Sequence, residues 1–383
     1  MIKILFFIER LSGGGAETVL QNLVNTMDRS RYDITVQTLY PENAEAYLAP
    51  EIHYKYCYPS ASKLNIMRMR AEAAANLTYR FHIKGGYDIE AAYLECGATK
   101  IMAGSDNKNA LRLAWVHCDL MHRTDDPEGF AASVKKYYKN FDEVVCVSQG
   151  VHESFVRLLG DTAGAVVLYN VVREDEIRRK ADLPLPKSLS RRRLTAVTVG
   201  RLEPPKNIMR ALKTHKRLLD EGAEHDLWIV GEGAERPALE EYIRENRLAE
   251  SVKLLGFCEN PYCIMRAADL LMCSSDYEGF STFITEGLIL GKPVVTTDVS
   301  GMRELLGDSE YGLITPNGDE AFCDGVRRML TEPGLQERYA GMARMRGKDF
   351  KRFELTRKTE AYLERALEEK RRSGQAAKKE ESF

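Results

Sequence analysis

Two carboxylates, Glu278 and Glu286, stand with seven residues between them in the run Glu278-Gly279-Phe280-Ser281-Thr282-Phe283-Ile284-Thr285-Glu286. The apolar stretch Leu270-Leu271-Met272-Cys273 ahead of them reads as a short buried strand ending in a polar, glycine-containing turn. Ser281 and Thr282 are good N-cap types, so a helix is predicted to begin there and to stop at Gly291, with Pro293 just beyond. Strand, turn and helix N-terminus together make an anion site, because backbone N–H groups and the helix dipole face one spot. Such a cradle gains nothing from two acids unless the ligand also brings hydroxyls. Phosphate plus hydroxyls is the chemistry of a sugar nucleotide. A second turn, Gly200-Arg201-Leu202-Glu203-Pro204-Pro205-Lys206-Asn207, sets Arg201 and Lys206 where two cations can converge on one diphosphate. Breaking a sugar–phosphate bond builds negative charge on the departing diphosphate, and fixed cations stabilise that charge. Arginine offers a planar fork and lysine a mobile point charge, so the two are not redundant. The plain alternative is a pair of solvated surface cations.

Positioning these groups takes strands that end side by side. Strand-like runs cover residues 2–8, 34–39, 89–94, 111–117, 144–147 and 166–169, and then 194–199, 227–230, 252–257, 270–273, 294–297 and 311–314. Helical stretches alternate with them, which argues for parallel sheets covered on both faces. The first strand runs into Gly13-Gly14-Gly15 and then a helical pattern with Val19, Leu20, Leu23, Val24 and Met27 at helical spacing. Backbone can approach a phosphate in such a loop. It is not the GxGxxG dinucleotide fingerprint, and a tight turn needing glycine for positive φ is the plain alternative. The strand over 111–117 ends in His117-Cys118-Asp119. Ligands in such sheets sit beyond the carboxyl ends of strands, which places His117 for contact; a strand-end histidine satisfied by backbone is the alternative. Asp119 and His122 are further candidates for binding an acceptor.

The chain has 383 residues, 44% hydrophobic and 29% charged, with a net charge of -2. That length points to two domains, and the charge gives no case for nucleic acid. The eight cysteines form no CxxC pair and no metal-spaced cluster with histidine, which fits a reduced, cytoplasmic compartment. No stretch reaches the roughly eighteen apolar residues of a membrane span. Basic and apolar residues mix at residues 63–70 and 135–139. On helices these could lie on the anionic inner face of a membrane, with an ordinary solvated face as the alternative.

The run from Glu278 to Glu286, followed by Gly291-Lys292-Pro293-Val294-Val295-Thr296-Thr297-Asp298, resembles the E-x7-E signature of the retaining glycosyltransferases of family 4. Gly13-Gly14-Gly15-Ala16-Glu17, the strand-end His117 and Gly200-Arg201-Leu202 with Lys206 resemble further landmarks of that family, in its order, over residues 1 to about 367. The resemblance implies an α/β chain of GT-B architecture: two Rossmann-like, doubly wound domains facing an interdomain cleft. The expected layout is an acceptor-side domain over residues 1–172, a linker over 173–193, a donor-binding domain over 194–352, and a stretch over 353–383. That last stretch would be a helix crossing back to the first domain, then a disordered tail from Ser373.

By the same resemblance Glu286 holds the ribose hydroxyls and Glu278 the sugar hydroxyls, while Arg201 and Lys206 stabilise the leaving diphosphate. Backbone around Gly279, Phe280, Ser281, Thr282 and Phe283, and around Gly14 and Gly15, completes the anion site. His117 lies near the transferred sugar. Phe257 supports the base largely through backbone, a core aromatic being the alternative for its side chain. The sequence departs from the family at Asn207, where glycine is usual, at Ser281, where proline is common, and at Gly287, where alanine is common. Retention implies front-face attack with the departing phosphate as base. The absence of an Asp-x-Asp motif implies no cofactor and no essential divalent metal. The implied donor is UDP-N-acetylglucosamine or another UDP-hexose, and the acceptor a glycan or lipid-linked sugar of surface polysaccharide synthesis. A sugar-nucleotide 2-epimerase of the same architecture and a non-catalytic nucleotide-sugar-binding protein are the alternatives.

Overall fold

A computed structural model of the chain describes residues 1–160, 164–187 and 189–380. It divides into two compact units, one of residues 1–172 with 352–383 and one of residues 173–351.

The first unit is built on a sheet of seven parallel strands: β1 (Ile2–Phe7), β2 (Tyr32–Thr38), β3 (His53–Tyr56), β4 (Ile89–Ala92), β5 (Leu111–Val116), β6 (Glu143–Cys146) and β7 (Ala165–Val167), in the order β3-β2-β1-β4-β5-β6-β7. In β1, Ile4, Leu5, Phe6 and Phe7 are all buried, as expected of a strand covered on both faces. Strand β3 escapes the sequence reading because His53-Tyr54-Lys55-Tyr56 is a largely exposed edge with no apolar run. The helix Arg352–Glu380 is fastened to this sheet through polar groups: Tyr362 donates to Glu143 at 2.5 Å, Lys370 meets Asp142 at 2.6 Å, and the Glu360 carboxylate accepts from the Asp28 N–H at 2.7 Å. The helix runs on to Glu380, so the tail expected to be disordered from Ser373 is helical that far; residues 381–383 lie outside the described residues.

The second unit holds six parallel strands: β8 (Thr195–Val199), β9 (Asp226–Val230), β10 (Val252–Leu254), β11 (Leu270–Cys273), β12 (Val294–Thr297) and β13 (Leu313–Thr315), in the order β10-β9-β8-β11-β12-β13. Its core packs Leu227, Ile229, Leu270 and Met272 of the sheet against Leu212, Leu218, Phe322 and Met329 of the helices. The region expected to be only a linker, 173–193, holds the helix Glu174–Ala181, with Ile177 and Ala181 buried. It packs on the helices Tyr262–Ala267 and Thr282–Ile289. Its short amphipathic pattern is hidden in sequence by the charged residues on both sides of a single isoleucine. Part of the same stretch, Ser188, lies outside the described residues.

In each sheet the strand order reverses beside the first strand, between β1 and β4 and between β8 and β11. At such a switch point the connections leave in opposite directions and open a crevice beyond the carboxyl ends. Most of the residues singled out by chemistry sit in the turns at those two points.

Candidate functional site

In the second unit two turns, one after β8 and one after β11, are stitched together. The Ser274 hydroxyl reaches the Asn207 carbonyl at 2.9 Å, and the Asp276 N–H donates to the Pro205 carbonyl at 2.8 Å. Asn207 adopts left-handed backbone (φ 41°, ψ 52°), tolerable for asparagine, and its side-chain oxygen caps the helix Ile208–Asp220 at the Arg210 N–H. Its amide donates to Asp276 at 3.1 Å. Arg210, buried by these turns, donates to the Ser274 carbonyl at 3.0 Å, to Asp276 at 2.9 Å, to Asn317 at 2.9 Å and to Asp319 at 2.8 Å. The β8 turn fits against its neighbour only because Gly231, at φ 145°, has no Cβ, which would lie 1.8 Å from the Gly200 carbonyl oxygen.

This scaffold fixes the charged pair. Lys206 Nζ lies 2.6 Å from Glu278 Oε1, and the Ser275 hydroxyl donates to the same oxygen at 2.7 Å. Burial works against the charge on Lys206, but the Glu278 carboxylate more than offsets it and holds the ammonium pKa above its ordinary value. Arg201, exposed in the same turn, opposes it as a like charge. Beyond the pair the helix Thr282–Ile289 begins, with Ser281 as an extended N-cap whose side chain makes no cap bond. The first N–H groups of that helix have no carbonyl one turn back and are therefore donors for an anion. The helix closes with Gly291 at φ 67°, where the Lys292 N–H bonds the Gly287 carbonyl at 2.9 Å and the Gly291 N–H bonds that of Leu288 at 3.0 Å.

Glu286, one turn into this helix, accepts from the Tyr262 hydroxyl at 3.2 Å. Burial pushes its carboxyl pKa up to about 7, the Tyr262 hydrogen bond only partly opposing the shift. Such a carboxyl is short of donors, and hydroxyls brought by a ligand would satisfy it.

In the first unit Gly14 is the extended N-cap of the helix Gly15–Thr26, preceded by Gly13 at φ 106°. At the end of β5, the His117 N–H donates to buried Glu95 at 3.0 Å, and Glu95 also accepts from Arg123 at 2.8 Å and from the Cys118 thiol at 3.1 Å. The His117 ring donates to the Tyr93 carbonyl, while its Nε2 is buried without a partner among the described residues. Burial drives the imidazole pKa down to about 4 against the pull of Glu95. The ring is therefore neutral at neutral pH and offers one unused lone pair.

Residues 185–346 match the family described as glycosyl transferases group 1. Over 376 residues the chain is 28% identical to the N-acetylgalactosamine-N,N'-diacetylbacillosaminyl-diphospho-undecaprenol 4-alpha-N-acetylgalactosaminyltransferase of Campylobacter jejuni, covering 95% of this chain and all of that one. It is 22% identical over 362 residues to the amylovoran biosynthesis glycosyltransferase AmsD of Erwinia amylovora, covering 91% of this chain and 96% of that one. Among solved structures it superposes on Anabaena Alr3699/HepE in complex with UDP and glucose with a TM-score of 0.74 at 18% identity, covering 95% of this chain and 100% of that one. The sucrose-phosphate synthase of Thermosynechococcus elongatus gives 0.77 at 17%, covering 96% and 99%. The fold is that of the GT-B glycosyltransferases.

Within this glycosyltransferase the structure brings Lys206 and Glu278 into direct contact, with Gly279, Phe280 and Ser281 buried beside them and Thr282 and Phe283 in the first helical turn. Arg201 shares the turn of Lys206, whereas Glu286 is bonded to Tyr262 rather than to Glu278. Gly14, Gly15 and His117 belong to the other unit. Phe257 is 77% exposed just past β10, so its ring is not a core aromatic. Sequence reasoning missed Ser275, Tyr262, Glu95 and Arg210. Tyr262 and Glu95 lie on segments separated from their partners by 24 and 22 residues, and Arg210 reaches groups as far as 109 residues away, so no spacing rule could find them. The one local signal was Ser275, three residues before Glu278 in a turn rich in serine.

Proposed function

We propose that this glycosyltransferase moves a sugar from a UDP-sugar to a lipid-linked or glycan acceptor with retention at the anomeric carbon. The observation that carries the reading is the Lys206–Glu278 pair, 2.6 Å apart, at the mouth of β11 and just ahead of a helix N-terminus. Lys206 and Arg201 neutralise the charge that grows on the diphosphate as the anomeric C–O bond breaks, Glu278 takes sugar hydroxyls, and Glu286 takes the ribose hydroxyls. The first helical N–H groups bind the phosphates, the exposed Phe257 lies by the base, and Gly14 and His117 of the first unit serve the phosphates and the sugar. The departing phosphate oxygen accepts the proton of the attacking hydroxyl, so neither a protein nucleophile nor a resident metal has a step to perform. The UDP held by similar structures, and the undecaprenol diphosphate in the name of the Campylobacter relative, support UDP-N-acetylglucosamine or another UDP-hexose as donor and a polyprenyl-diphosphate-linked sugar as acceptor.

An anionic membrane surface is the setting for such an acceptor. The helix Lys63–Ala74 buries no residue, exposes Leu64 (75%) and Met67 (68%), and carries Lys63, Arg68 and Arg70. Among the described residues no helix is long and apolar enough to cross a membrane. Sedimentation with anionic liposomes, lost in a Leu64→Glu/Met67→Glu variant, tests that surface. A thermal-shift series with UDP-, GDP- and ADP-sugars, followed by incubation with undecaprenyl-diphosphate-linked N-acetylgalactosamine, tests the function. Stabilisation by UDP-sugars alone and a lengthened product are expected. Formation of an epimer, or binding without turnover, would replace the reading.

A further inference from the structure

Beyond β5 stands a second group of side chains that the roles above leave unused. Asp119 is buried at 4% exposure, yet its carboxylate is fully engaged. Oδ1 accepts from the buried Ser154 hydroxyl at 2.6 Å and from the Met121 N–H at 2.9 Å. Oδ2 meets His122 Nδ1 at 2.9 Å. Ser154 sits on the helix Gln149–Leu159, so the carboxylate is locked to a regular element and not merely to its own loop. The His122 ring itself is 69% exposed.

A surface histidine on a loop gains little from a buried carboxylate, and burying that carboxylate costs free energy unless its oxygens are used. The arrangement has a chemical consequence instead. An ionised carboxylate only accepts, so the proton of the neutral imidazole is held on Nδ1 and Nε2 keeps its lone pair. The dyad thus presents one oriented acceptor on an accessible ring, in the loop that leaves β5 through His117. A neutral lone pair suits an O–H donor and not a phosphate oxygen.

We propose that Asp119 and His122 form a hydroxyl-binding dyad for the acceptor sugar, His122 Nε2 receiving a hydrogen bond from one of its hydroxyls and Asp119 setting the tautomer. This rests on the glycosyl-transfer reading above. His122 is the contact residue, and Asp119 acts through it.

The test is steady-state transfer by the full chain to undecaprenyl-diphosphate-linked N-acetylgalactosamine, from the UDP-sugar that the thermal-shift series selects. His122→Ala is expected to raise the acceptor KM roughly tenfold with the donor KM unchanged, the loss of one good hydrogen bond. Asp119→Asn keeps the carbonyl oxygen toward Ser154 and Met121 but donates to Nδ1, forcing the imidazole proton onto Nε2. It should match His122→Ala while leaving Tm within a few degrees. His122→Gln, whose carbonyl can accept in place of Nε2, should stay within about threefold of the parent, and adding Asp119→Asn to it should change nothing more. A normal acceptor KM in His122→Ala, equal losses toward donor and acceptor, or an Asp119→Asn defect that persists when combined with His122→Gln would overturn the dyad. Parent protein that binds the UDP-sugar yet transfers to no such acceptor overturns the acceptor assignment, and the dyad with it.

Discussion

The two candidate sites stand beyond the carboxyl ends of adjacent parallel strands, β8 and β11 in one sheet and β4 and β5 in the other, and are electrostatically unlike. In the second unit Lys206 and Glu278 satisfy one another, and Ser275 adds a second donor to the same carboxylate oxygen. In the first, Glu95 is saturated by His117, Cys118 and Arg123, while His117 Nε2 is buried with nothing among the described residues to accept from. A satisfied ion pair can be assembled before any ligand arrives, and it must exchange partners when one does. An orphan acceptor gains its first partner only from the ligand, and carries a desolvation cost of about 1–3 kcal/mol until then. One unit therefore stores preorganised charge and the other stores an unfilled hydrogen bond.

Variants can collapse that contrast. The largest effect is expected of Lys206→Ala, which leaves Glu278 without its cation. Turnover should fall roughly 10²–10³-fold through the lost stabilisation of the diphosphate. Stability should fall by about 1–3 kcal/mol, less than for a fully buried pair because Lys206 keeps 26% exposure. Lys206→Met with Glu278→Gln should recover the stability in chemical denaturation but not the turnover; joint recovery would mean that the pair is structural only. Glu286→Ala should weaken UDP about 10–100-fold by calorimetry, as expected for hydrogen bonds to a carboxylate. Unchanged affinity would remove Glu286 from the ribose. His117→Ala should cost roughly tenfold in turnover with UDP affinity kept, the loss of one hydrogen bond to the sugar. Its Tm should fall only modestly, because the Tyr93 carbonyl loses its ring donor while the orphan Nε2 had no partner to lose. A large drop in Tm there would erase the difference between the sites.

Much of this was legible in the sequence, and the residues say why. Glu278, Glu286, Arg201 and Lys206 lie on turns flanked by apolar strands, and the alternation of those strands with helical patterns is a local signal. The two parallel sheets follow from the same alternation. Strand β3 was not legible because an exposed edge needs no apolar residues, and the helix Glu174–Ala181 was not because two buried side chains suffice to hold it. Asn207 was legible as a residue able to adopt left-handed backbone, but not as the cap that its side chain makes. Arg210 was invisible: nothing local distinguishes a helix arginine in solvent from one that ties three turns together, and only the meeting of Ser274, Asp276, Asn317 and Asp319 around it decides.

The pH dependence of stability is the smallest of these effects, yet it separates the groups by sign. Glu286 has its pKa raised to about 7 by burial, from an ordinary 4.5. The stabilisation that this raised value confers is fully present below pH 4.5 and is lost as pH rises through 7, because the fold then holds an underpaired carboxylate. In the core of the same unit His215 Nδ1 and His225 Nε2 lie 2.9 Å apart, and Ser251 meets His215 Nε2 at 2.9 Å. Burial, and for His215 also the neighbouring His225, lowers both imidazoles, His215 to about 3 from 6.5. For them the sign reverses: the contribution is present above pH 6.5 and is lost as pH falls toward 3, since a second proton would put two donors face to face. The ligand-free protein should therefore lose Tm on both flanks of a mildly acidic optimum. Glu286→Gln should flatten only the alkaline flank, and His215→Gln, which can still donate to His225 and accept from Ser251, should soften only the acid one. UDP should restore the alkaline flank in the parent, because its ribose hydroxyls give the Glu286 carboxylate the donors that the fold withholds. Equal slopes in parent and both variants, measured by scanning calorimetry from about pH 4 to 8, would show that neither group governs the profile.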